Sequence, residues 1–170
     1  MKKVIFYLSL IFVALLFASC GKNDVYQERI TFDNNTWNRL EDNKTITFKN
    51  IEINDTSSLY DIYVTIRHTP YINEGKIKFL MKVIYPSGIV RESIYNIGLK
   101  SVDNKKWKGD ALGDLIDVEE RCRAFVSLPE KGNYTITLTN LGTYAKTVGI
   151  MDMGVLIKKS DMKEYKNNND

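Results

Sequence analysis

The sequence predicts an all-β protein, an antiparallel β-sandwich of jelly-roll type with seven to nine strands. Three observations predict it. Apolar residues recur at every second position in run after run, clusters of Gly and Pro fall between the runs, and no stretch beyond the N-terminal leader carries an apolar stripe at helical spacing. Thr45–Phe48 alternates Ile46 and Phe48 with Thr45 and Thr47. Tyr60–Arg67 sets Ile62, Val64 and Ile66 against Tyr63, Thr65 and Arg67. Lys76–Val83 is clearer still, with Ile77, Phe79, Met81 and Val83 opposing Lys76, Lys78 and Lys82. Pro86-Ser87-Gly88 then joins Lys76–Tyr85 to Ile89–Tyr95 as a hairpin connection. Cys122 alternates with Ala124, Val126 and Leu128, and Tyr134, Ile136 and Leu138 oppose Thr135, Thr137 and Thr139. Met151, Met153, Val155 and Ile157 make the last such face before Lys158 and Lys159. Each run has one apolar face, and two sheets packed face to face bury them all.

The N-terminus is a different kind of segment. Lys2 and Lys3 precede an apolar run from Val4 to Ala18, too short to span a bilayer comfortably and of the length of a signal-peptide core. It ends in Phe17-Ala18-Ser19-Cys20-Gly21, which resembles the bacterial lipobox. That resemblance implies cleavage between Ser19 and Cys20 and lipidation of Cys20. Three acyl chains at about 0.8 kcal/mol per buried CH₂ give stable anchoring. The expected division is a leader at 1–19, a lipidated tether at 20–26, the sandwich at 27–159 and a disordered, Asn-rich tail at 160–170. Gly21 carries no acidic cue for inner-membrane retention. An outer-membrane lipoprotein facing the periplasm is therefore expected.

Composition excludes several functions. The chain has 24 Lys+Arg, 21 Asp+Glu, one His and two Cys. Removing the leader takes Lys2 and Lys3 and leaves 22 basic residues against 21 acidic. That balance carries no nucleic-acid footprint. One His and one remaining Cys cannot make a Cys/His zinc site, and no phosphate loop, GxGxxG or GxSxG occurs. Cys122, left without a partner once Cys20 is lipidated, reads as a small buried hydrophobe. His68 is the one residue that could activate it as a nucleophile. Asp110, Asp114, Asp117, Glu119 and Glu120 form the densest acidic stretch, but the EF-hand pattern is absent, so it reads as a solvated loop. No catalytic residue, metal site or cofactor is expected.

Five segments in order resemble the GldH family of gliding-motility-associated lipoproteins of the Bacteroidota. They are Ile66-Arg67-His68-Thr69-Pro70-Tyr71, Tyr85-Pro86-Ser87-Gly88, Trp107-Lys108-Gly109 with Gly113, Gly132-Asn133-Tyr134, and Gly149-Ile150-Met151-Asp152-Met153-Gly154. His68 stands where the family more often has Asn, and Thr69 where it has Tyr. The resemblance implies a non-enzymatic, lipid-anchored accessory of the gliding and type IX secretion apparatus. Its partners would be the membrane, through the lipid, and other envelope lipoproteins or outer-membrane secretion components.

The residues themselves read structurally. Trp107 packs across a tight loop, and Gly149 and Gly154 bracket a strand that a neighbour approaches closely. Asp152, on the face opposite Met151 and Met153, points to solvent or accepts hydrogen bonds from a loop. Arg67, Tyr71, Trp107 and Asp152 are the candidate interaction or loop-structuring residues, with 68–75 and 105–120 the loops to inspect. The alternative class is a carbohydrate-binding sandwich, for which Tyr63 and Tyr95 would contribute to an aromatic platform. A binding module predicts an exposed aromatic row; a scaffold predicts an apolar patch or a free strand edge.

Overall fold

The computed structural model describes residues 23–41, 44–101 and 106–161. The leader, Ser19, Cys20 and residues 162–170 of the tail lie outside them. The strands are β1 (Asp24–Thr31), β2 (Thr36–Asn38), β3 (Thr45–Ile53), β4 (Leu59–His68), β5 (Lys76–Ile84), β6 (Val90–Gly98), β7 (Asp110–Leu112), β8 (Leu115–Ser127), β9 (Gly132–Asn140), β10 (Lys146–Val148) and β11 (Ile150–Lys159). A 3-10 turn, Asp33–Asn35, joins β1 to β2.

Two antiparallel sheets face each other, in the orders β1-β11-β4-β8-β7 and β3-β9-β5-β6, and β10-β2 forms a small third sheet. The eight long strands are distributed four and four, β1-β11-β4-β8 against β3-β9-β5-β6. This is the strand order of a jelly roll. Among the described residues eleven strands stand where seven to nine were expected. The excess is β2, β7 and β10, each three residues long and too short to show periodicity.

The core lies between the sheets. Ile62, Val64 and Ile66 of β4 and Met153, Val155 and Ile157 of β11 meet Phe48, Ile51 and Ile53 of β3, with Phe79, Met81, Ile136 and Leu138 beside them. Each such side chain contributes about 1.5–3 kcal/mol by leaving water. The alternation in β4, β5 and β9 holds. β3 extends past Phe48 through a bulge at Asn50 (φ 56°), which returns Ile51 and Ile53 to the core side.

Two expected faces are corrected. In β11 a bulge between Ile150 and Asp152 breaks the alternation, so Ile150 is buried and Met151 only half-buried. In β8 the face from Cys122 to Leu128 does not form: Ala124 is exposed. Two register shifts against β4 and a positive φ at Phe125 (53°) break the period there. At the boundaries, β1 begins at Asp24, within the stretch expected as tether. Ser160, expected in the tail, donates its amide to the Leu59 carbonyl (2.9 Å) and its hydroxyl to Asp61 (2.6 Å).

Asn23, Leu59, the Pro86–Gly88 turn and Gly132 lie at one end of the sandwich, here the near end. His68, Gly98, Asn140 and Ile150 lie at the far end.

Candidate functional site

The outer face of the five-stranded sheet carries a ladder of charges at its far-end half. Register puts Arg67 of β4 between Asp152 of β11 and Asp117 of β8, and Arg29 of β1 beside Gly154 of β11. Side chains paired across strands share a face, so all four charged groups meet. Arg67 grips Asp117 with two bonds, Nε to Oδ1 at 2.9 Å and Nη2 to Oδ2 at 2.8 Å. Arg29 Nη1 donates to Asp152 Oδ1 (2.9 Å) and Asp117 Oδ1 (3.2 Å), and Arg67 Nη1 lies 4.0 Å from Asp152 Oδ2. The Arg67 guanidinium, aided by Arg29, holds the Asp117 carboxyl below the usual carboxylate range.

Gly154 makes this geometry possible. A Cβ there would stand 2.7 Å from Arg29 Cγ, 2.5 Å from Thr65 Oγ1 and 2.7 Å from the Glu28 carbonyl oxygen. The Arg29 stem therefore lies flat across Gly154 on its way to the two aspartates. Asp152 is 7% exposed, and its partners are arginines of neighbouring strands. The expectation that it points to solvent or binds a loop is corrected. Arg29 and Asp117 were not singled out by sequence reasoning. A charge complementary to Arg67 and Asp152 is the one signal that could have raised them, and nothing in a linear sequence says which of many charges that is.

The remaining motifs close around this ladder. His68, the inward neighbour of Arg67, is fully buried. Burial pushes its pKa down, against an opposing bond between Nδ1 and the Thr69 carbonyl. The Trp107 ring meets the His68 ring edge-on at 5.0 Å, and Lys100 Nζ sits 4.9 Å above it. Gly109, with φ +91°, lets the chain pass the Asp117 carbonyl, which a Cβ would overlap at 2.0 Å. Gly149, also at φ +91°, packs against the Ile72 backbone, where a Cβ would stand 2.7 Å from Cα. Asn73 then staples the 69–75 loop to β10: it accepts from the Val148 amide (2.9 Å) and donates to the Lys146 carbonyl (3.0 Å). Tyr71 stands on that loop, 88% exposed.

The Pro86 and Gly132 motifs meet at the near end. Gly132 abuts the Pro86 ring, Tyr85 and Tyr134 rings lie 5.0 Å apart, and Glu130 accepts from the amide and hydroxyl of Ser87, both at 2.8 Å.

Several sequence candidates separate in space. Cys122 lies six residues along β8 from Ile116, the register partner of His68, about 20 Å away at strand rise. Its thiol is pushed up to about 12, first by burial and then by Glu120. A thiol held protonated and that far from the imidazole is no nucleophile. Tyr63 lies on the outer face of the five-stranded sheet under Lys158 Nζ (4.8 Å), whereas Tyr95 packs inward on Phe79 in the other sheet. The two share no platform. The acidic stretch is strand rather than loop over much of its length: Asp110 lies in β7, and Asp117, Glu119 and Glu120 lie in β8. Arg67, Lys158 and Lys108 pair with those last three. Among the described residues no group of three or more His, Cys, Asp or Glu could hold a metal ion.

Comparison with known proteins follows the same outline. The family model described as GldH lipoprotein matches residues 24–157. A gliding motility lipoprotein GldH homolog of Christiangramia forsetii is 24% identical over 158 residues, covering 89% of this chain and 93% of its own. Among solved structures, CBM28, a carbohydrate-binding module specific for non-crystalline cellulose, is 10% identical. It is matched over 78% of this chain and 70% of its own, with a TM-score of 0.39. A family 35 carbohydrate-binding module from Clostridium thermocellum is 16% identical over 81% and 90% of the two chains, with a TM-score of 0.34. Likenesses of that size transfer no ligand, and the jelly roll stands on its strand order. With the family model covering both sheets and every motif that builds the far end, the chain belongs to the GldH lipoprotein family.

Proposed function

We propose that this protein is a lipid-anchored, non-enzymatic accessory of the outer membrane that faces the periplasm. There it docks other envelope lipoproteins or outer-membrane components of the gliding and type IX secretion machinery. Cleavage before Cys20 and lipidation of its sulfur supply the anchor. One observation carries the reading: the segments 66–71, 107–109 and 149–154, scattered in sequence, converge at the far end, while the described chain begins at the near end with Asn23. Asn23 stands three positions after Cys20, a reach of at most about 11 Å. The near end is thereby held against the bilayer, and the far end, with Tyr71 raised on its stapled loop, is presented to partners.

Crosslinked pull-down of the tagged chain from whole envelopes tests this, with Cys20→Ala and Tyr71→Ala beside it. The expected result is enrichment of envelope lipoproteins or secretion components, lost in Cys20→Ala and reduced in Tyr71→Ala. Recovery of polysaccharide alone would overturn the accessory role in favour of glycan binding. Unchanged recovery with Cys20→Ala would remove the anchor from it.

A further inference from the structure

We propose that the far end of the four-stranded sheet is a binding site for an acidic peptide segment of a partner protein, held by Arg39, Lys44 and Lys78. The proposal rests on the docking role above and names the chemistry of the partner.

The three cations line one open depression of about 470 Å³, together with Leu40, Leu141 and the ends of Thr139 and Asn140. Among the described residues no acidic side chain lines it. Arg29, Arg67, Lys82, Lys108, Arg121, Lys146, Lys158 and Lys159 each pair with a carboxylate. Among the described residues, Arg39, Lys44 and Lys78 pair with none, and unlike Lys49, Lys76, Arg91, Lys100, Lys106, Arg123 and Lys131, which also lack a carboxylate partner, they line one depression together. Three like charges left together disfavour one another, so folding alone gives no reason for the grouping.

A second observation is independent of charge counting. Arg39 Nε is buried and has no hydrogen-bond partner. A buried donor left unmade is costly, and Arg39 lines the depression, so a small turn of its guanidinium toward an entering carboxylate would relieve that cost. The backbone around the site is fixed: the Arg39 amide donates to the Ala145 carbonyl (2.9 Å), and the Leu141 amide donates to the Lys78 carbonyl (2.9 Å).

The apolar lining selects among anions. Leu40 is 72% exposed and Leu141 half-buried beside the cations. A bare phosphate leaves both leucines in water, whereas a peptide that alternates carboxylates with an aliphatic residue covers them. The site also lies at the end opposite Asn23, away from the headgroups of the anchoring leaflet.

The test is fluorescence anisotropy of the full-length chain in detergent with a fluorescein-labelled hexapeptide alternating Glu and Leu. Saturable binding is expected. The triple variant Arg39→Gln, Lys44→Gln, Lys78→Gln should weaken it by about tenfold or more, and Lys49→Gln with Lys131→Gln should leave it unchanged. The charge-reversed pair Lys44→Glu, Lys78→Glu, its fold checked by circular dichroism, should instead prefer a Lys/Leu hexapeptide. Absence of binding to the natural chain, equal binding by the triple variant, full displacement by equimolar inorganic phosphate, or equal binding of a Gln/Leu hexapeptide would each overturn the proposal. Because the probe is read on purified protein, the site can fail while the envelope pull-down succeeds, and the reverse.

Discussion

On the outer face of the five-stranded sheet, Arg29, Arg67, Asp117 and Asp152 are paired across four strands, and Glu119 and Asp61 continue the pattern with Lys158 and Arg121. On the outer face of the four-stranded sheet, Thr45, Thr47, Thr137 and Thr139 lie beside Leu80 and Ile94, with Lys78 unpaired at the far end. Its local bonds are the 2.9 Å contact between the Thr45 and Thr139 hydroxyls and the exposed Lys82–Glu92 pair at 3.0 Å. One sheet pairs its outer charges across four strands; the other pairs Lys82 with Glu92 and leaves Lys78, at its far end, without a carboxylate. Charge on a protein surface thus has two different uses, and the partners within 4 Å tell them apart.

Four measurements break or sharpen that contrast. The largest effect belongs to Gly154→Ala. The new methyl meets a backbone oxygen and the Arg29 stem, both at 2.7 Å, and must displace the ladder. A loss of about 3 kcal/mol or more is expected in urea denaturation. Next is Asp152→Ala, which leaves Arg29 with only its longer bond to Asp117 (3.2 Å). About 2–3 kcal/mol is expected, less than for a fully buried pair because Arg29 is 31% exposed.

Third is the pH dependence. His68 is kept from protonating by burial, so the folded chain binds fewer protons than the unfolded one. Its contribution is complete above the ordinary value of 6.5 and is lost as pH falls through the lowered folded value. The slope is at most about 1.4 kcal/mol per pH unit. Asp117 has the same sign in a lower window, below 3.8. His68→Asn should flatten the upper window and leave the lower one intact, read from denaturation midpoints between pH 7.5 and 3. The smallest effect is Lys44→Gln with Lys78→Gln, for which thermal denaturation should show no loss of stability and a slight gain. A loss above about 0.5 kcal/mol would assign these lysines to the fold instead of to a ligand.

The strands were legible because burial imposes a period of two wherever one face of a strand meets a core, as at Ile62-Val64-Ile66. What escaped was what the period cannot encode. Nothing in Ile150-Met151-Asp152 marks a bulge, and a Phe at positive φ, as at Phe125, runs against residue preference. The β2–β10 pair is held by register with residues more than a hundred positions away. Gly149 and Gly154 were legible as places of close approach. That Arg29 is what approaches Gly154 was not, because the two stand 125 positions apart in the chain. Arg67, Tyr71, Trp107 and Asp152 came from motifs far apart in the sequence, and the charge ladder that joins Arg67 to Asp152, with His68 and Trp107 packed beside it, exists only after folding.

The place where the chain enters the sandwich also decides how the protein takes a pull. β1 starts at the near end and runs toward the far end, antiparallel to β11, in seven register pairs from Asp24–Lys158 to Thr31–Asp152. If the proposed lipid on Cys20 and a partner at the far end are drawn apart, the tension is directed along the strands. It strains the β1–β11 hydrogen bonds together, in shear, and does not unzip them one by one. The lifetime of the link under such traction is set by the unfolding rate of that sheet, and the Arg29 bridges to Asp152 and Asp117 pin the strand that is being drawn.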